Sequence, residues 1–144
     1  MYGVIKKGLG RTLPFKVDFV FGPNGAIGDA HWIADVPCEL VYSEEIHNAA
    51  GTDAGAVTLD LEKLTGTTTI GSGSTMLAST YNLKSAANTV VRKSKANAGL
   101  TTTLANRRLA IGNRLGLNVA GTITTLAGVH VRVIFVPLGP PTNW

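Results

Sequence analysis

Apolar and polar side chains alternate with a period of two along most of this chain of 144 residues. The clearest case is residues 129–136, where valines alternate with His130 and Arg132. The same period occurs at residues 15–20, 57–62 and 114–119. Successive side chains of a β-strand point to opposite faces of its sheet, so this period predicts strands rather than helices. Ile134 and Val136 are apolar as well, which predicts that the end of this strand is covered on both faces.

Glycine and asparagine separate these runs at short intervals. Gly22-Pro23-Asn24-Gly25 and Gly112-Asn113 are typical turn sequences, because glycine reaches positive φ without strain and asparagine tolerates it. The β-branched residues Thr89, Val90 and Val91 argue against a helix over residues 85–96. Further strands are predicted at residues 31–34, 39–46, 74–83, 89–95 and 100–111, for a total of eight or nine.

These patterns predict an all-β protein. About eight strands in one small domain must protect their sheet edges, and either a two-sheet sandwich or a closed barrel does so. We expect the sandwich, a jelly-roll-like pair of antiparallel sheets over residues 13–137. A chain of this length with 44% hydrophobic residues suits one domain with a single core.

The two ends of the chain depart from the alternation. Residues 1–12 mix glycine with basic and apolar residues and predict an extended arm, and the proline-rich residues 138–144 predict an extended tail. Such segments commonly become ordered on a partner, although simple fraying of both ends is the alternative. The arm's candidate partner-binding residues are apolar or basic: Val4, Ile5, Lys6, Lys7, Leu9 and Arg11.

Cysteine content and hydropathy exclude several classes of protein. Cys38 is the only cysteine, so no intrachain disulfide can form, and a reducing cytoplasm suits the chain. Its longest apolar runs fall far below the roughly 18 residues of a membrane span. The first residues lack the long apolar stretch of a signal peptide. We therefore expect neither a membrane segment nor a membrane partner.

Acidic and basic residues are unevenly distributed. All nine carboxylate side chains lie in residues 1–62, which carry a net charge of −5, whereas residues 63–144 carry +9. Two explanations are open: an electrostatic partner or subunit boundary, or strands from the two halves that interleave so that the charges mix. Basic clusters at residues 92–95 and 107–108 lack interleaved aromatic residues, so they do not favour a nucleic acid partner.

Candidate catalytic and metal-binding residues are few. His31 stands near two aspartates and His47 follows two glutamates, but a metal needs three or four converging ligands, and each is expected to form a surface pair. The glycine-rich residues 22–28 lack the ending of a phosphate-binding loop. No nucleophile, base and orienting group can be assembled. We therefore expect no catalytic site, no metal and no cofactor, and a protein that is not an enzyme.

Two stretches resemble the small β-rich structural proteins of tailed bacteriophages: residues 25–40 (GAIGDAHWIADVPCEL) and residues 113–129 (NRLGLNVAGTITTLAGV). The similarity extends loosely from about residue 14 to residue 137 and lies in the style of the strands and turns. It is greatest to capsid decoration, or cement, proteins, while phage head-fibre, neck and tail proteins share the style. Family members often have Asp where this chain has Asn113, and either residue suits that turn.

The resemblance implies a non-enzymatic virion protein on the capsid surface, made in the cytoplasm of the bacterial host. Its implied partners are the major capsid protein, whose neighbouring copies it would tie together, and itself as a homotrimer. A function of another class is a carbohydrate- or receptor-binding sandwich, which would need exposed aromatic residues around a groove. Trp32 lies in an apolar run and is expected in the core instead.

Overall fold

A computed structural model describes residues 13–21 and 30–139 of the protein. These residues form ten strands, several of them very short, and one helix of four residues. The elements are β1 (Phe15–Val20), β2 (Ala30–Ile33), β3 (Cys38–Ile46), β4 (Thr58–Leu64), β5 (Ser74–Thr75), β6 (Tyr81–Asn82), β7 (Val91–Ser94), α1 (Leu104–Arg107), β8 (Arg108–Leu109), β9 (Arg114–Ala120) and β10 (His130–Pro137). No helix in these two ranges is long and apolar enough to span a membrane.

The strands form two antiparallel sheets. Sheet A has the order β1-β10-β3-β7, with β8 also paired to β3. Sheet B has the order β2-β9-β4-β5, with β6 also paired to β4. Consecutive long strands therefore alternate between the sheets, and the last strand of sheet A lies beside the first. This is the connectivity of a jelly roll, which confirms the predicted all-β sandwich.

The core lies between the two sheets and follows the alternation seen in the sequence. Val131, Val133 and Phe135 of β10 are fully buried, and Leu115 and Leu117 of β9 face them from sheet B. His130 and Arg132 lie on the outer face of β10, as the alternation predicts. Burying each of these large apolar side chains contributes about 1.5–3 kcal/mol to folding. The core therefore stabilises the sandwich without a disulfide.

Three aromatic rings close the core at one side of the sandwich. Phe15 of β1 and Trp32 of β2 lie 5.8 Å apart, and Trp32 lies 5.3 Å from Phe135, measured between ring centroids. Trp32 is half-buried and packs against the core, as expected. Because β1 and β2 are the outermost described strands of their sheets on this side, the rings bridge the two edges.

Two long predicted strands are wrong in detail. Residues 74–83 contain only the short strands β5 and β6, separated by an exposed stretch from Ala78 to Thr80. Residues 100–111 contain α1 and β8 in place of one strand. The sequence Leu104-Ala105-Asn106-Arg107 has no β-branched residue, so nothing in its local propensity opposes a helical turn there.

Chain termini and loops divide the sandwich into two ends. At the first, which we call the termini end, β1 begins with Phe15 opposite Phe135 and β10 ends with Pro137 opposite Cys38. Residues 34–37, 65–73 and 110–113 also lie at this end; Ala34 N donates to Asn113 O, and Leu138 N donates to Pro37 O. Both terminal segments of the chain therefore leave the sandwich at the same end.

The opposite end, called the loop end, is formed by residues 47–57, 83–90 and 121–129. Thr124 donates to Asp53 through both its backbone N and its hydroxyl, at 3.0 and 2.6 Å. The ammonium of Lys84 donates to the carbonyl oxygens of Asp53 and Gly55. These hydrogen bonds tie three loops from both sheets into one cluster.

Candidate functional site

The six candidate partner-binding residues of the arm lie outside the described residues, and so do most of the predicted tail and the turn at residues 22–29. These residues are Val4, Ile5, Lys6, Lys7, Leu9 and Arg11. Their role and the domain boundaries remain predictions. What the structure describes is the surface from which the arm starts, where Leu13 is 66% exposed beside Phe15.

Basic side chains gather at the termini end. Arg108 Nε donates to Glu39 Oε2 at 3.0 Å, and Arg107 Nη2 lies 3.8 Å from Glu39 Oε1. Arg107 is almost fully buried, and its Nε has no hydrogen-bond partner among the described residues. One carboxylate therefore serves two guanidinium groups.

Two further cations at this end are held by backbone oxygens rather than by carboxylates. Arg114 Nη2 donates to the carbonyls of Gly66 and Thr68 at 3.1 and 2.7 Å. Lys63 Nζ donates to the carbonyl of Ala105 at 2.9 Å. Carbonyl oxygens orient these two cations without neutralising them. The four cations of this end therefore outnumber its described carboxylates, Asp35, Glu39 and Glu62, by one.

Part of the charge asymmetry of the sequence is satisfied within one chain, because four of the nine cations in residues 63–144 pair with carboxylates of residues 1–62. Glu44 of β3 accepts a hydrogen bond from Arg92 Nε of β7 at 2.8 Å, and Arg92 also lies over the ring of Tyr42, 4.5 Å from its centroid. Glu39 pairs with Arg108 of β8 in the same way. Acidic β3 thus lies between basic strands from the second half. Of the two explanations left open above, interleaved strands therefore account for part of the pattern.

Asp18 is the centre of a second charge cluster, on the outer face of sheet A. Its carboxylate lies 3.0 Å from His130 Nε2, 3.0 Å from Arg132 Nε and 3.2 Å from Lys16 Nζ. The hydrogen bond with His130, followed by those from Arg132 and Lys16, lowers the pKa of Asp18 from 3.8 to about 2, against the opposing effect of desolvation. This carboxylate is therefore charged throughout the physiological range.

Apolar side chains flank these charges on the outer face of sheet A. Val20 and Val90 are 72% and 57% exposed, and Val90 lines a shallow depression of about 130 Å³ beside His130. Ile134 and Val136 lie on the same face and are half-buried among their neighbours, so the predicted cover on both faces is only partial within the described residues. This face combines apolar and charged contacts in the manner of a protein interface.

His47 and Glu45 form a pair in the interior of the sandwich. His47 Nδ1 lies 2.8 Å from Glu45 Oε1, and both side chains are fully buried. His47 Nε2 lies 3.1 Å from the carbonyl oxygen of Ser85. The expected surface pair at His47 is therefore wrong. No side chain of this pair reaches solvent, so it cannot act on a substrate.

A β-bulge explains why the sequence misplaces this pair. Ile134 pairs with Tyr42, whereas the next residue, Phe135, pairs with Leu40, so Val41 is the extra residue in β3. A shift of one residue exchanges the two faces of a strand. Beyond Val41 the odd positions face the core, which buries Ser43, Glu45 and His47.

Buried hydroxyl groups extend the polar cluster around Glu45. Ser43 Oγ and the hydroxyl of Tyr81 lie 2.6 Å apart, and Tyr81 is almost fully buried. Burial is the main cause that raises the pKa of Tyr81 above its ordinary range, and the nearby charge of Glu45 adds to it. Lys93 Nζ lies 5.1 Å from the centroid of the Tyr81 ring. These contacts fix one packing arrangement between β3, β6 and β7.

His31 does not belong to a cluster of ligands in the described part of the chain. It lies exposed on β2, opposite Gly116, and Asp35 is exposed in the following loop, while Asp29 falls outside the described residues. Within residues 13–21 and 30–139, no three His, Cys, Asp or Glu side chains converge in a way that could hold a metal ion.

A groove opens between the two sheets at the termini end. It has a volume of about 300 Å³ and lies between β1 and the end of β2. Its lining includes two aromatic rings and two charged side chains. The residues that line it are Phe15, Lys16, Val17, Trp32, Asp35, Val36 and Pro137. The groove is therefore next to the points where both terminal segments of the chain leave the sandwich.

Comparison with known proteins adds no identification. No protein-family model matches the chain, and no curated protein matches it significantly.

Proposed function

We propose that this protein is a non-enzymatic virion structural protein, a decoration or cement protein that binds the outside of a phage capsid and bridges neighbouring major capsid proteins. Jelly rolls occur in viral capsid proteins and also in lectins, so the fold alone does not select this function. The proposal depends on the site from which the chain would reach a partner.

The exit of both terminal segments at the end that carries Lys63, Arg107, Arg108 and Arg114 is the observation that carries the proposal. The arm joins the sandwich at Leu13, and the chain continues beyond Gly139 from the same end. Arg108 lies there, hydrogen-bonded to Glu39, which is opposite Val136. An arm anchored at a rigid sandwich can add main-chain hydrogen bonds to a neighbour's sheet, while the cations contact acidic groups on it. A protein that ties two shell subunits together needs this combination.

The buried state of the Glu45–His47 pair agrees with a role other than catalysis. One ring nitrogen of His47 is hydrogen-bonded to the Glu45 carboxyl and the other to the backbone carbonyl of Ser85. The side chain is buried, so neither nitrogen is accessible to a substrate. A general base must come within hydrogen-bond distance of the proton that it removes. This pair stabilises the interior of the fold.

The outer face of sheet A supports self-association as a homotrimer. Val20 and Val90 are highly exposed there, and Ile134 and Val136 add apolar area between the charge clusters. Apolar centres with charged surroundings are typical of subunit interfaces. Internal pairing of four of the nine cations weakens the sequence asymmetry as an argument for a trimer, so the apolar area is its main support.

Cosedimentation with capsid shells that lack the protein tests the function. The proposal expects saturable binding to shells and a higher temperature of shell disruption after binding. Light scattering on the purified protein at tens of micromolar should give three times the mass of the chain. Failure to bind shells, with binding to isolated fibres, necks or tails or to glycans instead, would assign the protein to one of the alternative classes.

A further inference from the structure

The groove between β1 and β2 has a volume of about 300 Å³ and a largely apolar lining, which suits part of a short chain segment. Phe15 and Trp32 present half-buried rings to it, and Val36 and Pro137 complete its apolar lining. Grooves lined by aromatic side chains are the usual docking sites of proline-rich segments, because an extended proline segment loses little entropy on binding. The groove therefore favours a ligand of that composition.

Only two of the three segments outside the described residues start near this groove. Residues 22–29 join β1 to β2 at the loop end, where Val20 lies opposite His130 and Phe21 N donates to Val129 O. The arm, residues 1–12, and the tail beyond Gly139 both start at the termini end.

The two remaining segments, the arm and the tail, differ in charge. The arm carries Lys6, Lys7 and Arg11, while the groove already contains Lys16 and has Asp35 as its one carboxylate. Lys16 and Asp35 give the lining no net charge, so three further cations in the groove would be removed from water without matching carboxylates. The tail reads Pro-Pro-Thr-Asn-Trp over residues 140–144 and has no charged side chain. Its composition fits the groove better than that of the arm.

Geometry at the end of β10 places the tail within reach. Pro137 itself lines the groove, and Leu138 N donates to Pro37 O at 3.0 Å. Gly139 has a φ of +96°, a left-handed conformation that changes the direction of the chain and that glycine adopts without strain. Five extended residues span about 17 Å, which is enough to return along the groove.

We propose that residues 140–144 bind in the groove of the same chain, with Pro140 and Pro141 against the rings of Phe15 and Trp32. The bound tail covers the edges of β1 and β2, each of which has a strand partner on only one side among the described residues. Covered edges do not pair with other chains. The arm is then the terminal segment that remains available for a partner.

Fluorescence of Trp32 tests the proposal in Trp144→Phe, a full-length variant in which Trp32 is the single tryptophan. Quenching by acrylamide is compared between this variant and a chain that ends at Gly139. We expect truncation to raise the quenching constant about twofold, because a groove removes most of a ligand's contact surface from water. A peptide of residues 137–143 followed by Phe should reverse the increase when added to the truncated chain.

A matched pair of variants separates the prolines from the rest of the tail. Pro140→Ser with Pro141→Ser, in the Trp144→Phe background, should raise the quenching constant as truncation does, whereas Thr142→Ser with Asn143→Ser should not. Circular dichroism checks that each variant folds. If the chain that ends at Gly139 does not fold, the variant with Pro140→Ser and Pro141→Ser takes its place in the comparison. An unchanged quenching constant in the proline variant overturns the proposal. The quenching constant of Trp32 could instead fall roughly twofold as the protein concentration rises from 1 to 100 µM. That result would overturn the proposal, because it would show that the tail of a second copy occupies the groove.

Discussion

His47 and Glu45 are hydrogen-bonded to each other in a part of the core that solvent does not reach, with 2.8 Å between Nδ1 and Oε1. The second ring nitrogen of His47 faces the carbonyl oxygen of Ser85. Because a carbonyl oxygen only accepts, Nε2 must carry a proton and donate it. The hydrogen bond between Nδ1 and Oε1 then requires a second proton, which the imidazole and the carboxyl share, so the pair as a whole carries no net charge.

Replacing His47 with alanine is expected to destabilise the protein strongly. The substitution leaves the Glu45 carboxyl buried without its partner, and breaking a buried pair in this way costs about 3–5 kcal/mol. Urea unfolding gives the difference in unfolding free energy. The double variant Glu45→Met with His47→Leu is the control and should lose less than His47→Ala alone. A single-variant loss below about 1 kcal/mol, the level of an ordinary neutral hydrogen bond, would contradict the account.

Stability is expected to decrease toward alkaline pH because of Glu45. Burial raises the pKa of its carboxyl above the ordinary value of 4.5, and the hydrogen bond with His47 opposes the rise. A group whose pKa is higher in the folded protein contributes stability that is complete below the unfolded value and is lost as pH rises through the folded value. As pH rises above 4.5, the unfolding free energy of the unmodified protein should therefore fall relative to that of Glu45→Gln. Parallel curves for the two proteins would refute this.

Asp18 should dominate the acid side of the stability profile. Its pKa is lowered to about 2, first by the hydrogen bond with His130. A lowered carboxyl pKa gives stability that is present above the ordinary value of 3.8 and is lost as pH falls toward 2. Asp18→Asn should cost about 0.5–1 kcal/mol near pH 6, the range of an exposed ion-pair network, and should flatten the profile between pH 4 and 2. Asp35→Asn, at an exposed loop position, is the matched control and should cost less near pH 6.

Strands with an uninterrupted alternation could be predicted from the sequence, and the others could not. β10, β9, β4 and β1 are predicted within a few residues because one face of each meets the core and the other meets solvent. In β3 the bulge at Val41 breaks the period, so the sequence shows a strand but assigns the wrong face to its second half. Nothing local to residues 38–46 marks the extra residue, which is defined by the pairing with β10.

The candidate site, too, could be predicted from the sequence only in part. Basic residues at 107, 108 and 114 are visible in the sequence, but their gathering at the termini end depends on the order of strands in both sheets. The charge asymmetry was visible too, and its explanation needed the pairing of Glu44 with Arg92, which lie 48 positions apart. Long-range pairing of this kind has no local signature.

Cys38 should be unreactive in the folded protein. It is fully buried, and burial, together with the charge of Asp35, raises the pKa of its thiol to about 12. Thiols react as thiolates, so a disulfide reagent at pH 8 should modify Cys38 only after denaturant unfolds the chain. Thr102→Cys in a Cys38→Ala background introduces an exposed thiol as the control and should react at once. Rapid modification of native Cys38 would show that the termini end opens.

Deletion of residues 1–12 should separate folding from attachment. The core of the described residues begins at β1, so we expect circular dichroism and the melting temperature to be nearly unchanged. Binding to capsid shells should weaken at least tenfold, which corresponds to about 1.4 kcal/mol. Two triple variants distinguish charge from apolar contact. One replaces Lys6, Lys7 and Arg11 with alanine, and the other replaces Val4, Ile5 and Leu9 with alanine. Shell binding that survives the deletion intact would assign attachment to the loops.

The position of β10 has a consequence for how the chain is made. This strand lies in the middle of sheet A, between β1 and β3, yet it follows every other described strand in the sequence. A nascent chain on the ribosome therefore holds β1 and β3 without the strand that joins them, and Asp18 without Arg132. Pairings between such distant segments form slowly. Sheet A can close only after translation has passed residue 137, so a ribosome stalled earlier carries an incomplete sheet with two unpaired edges.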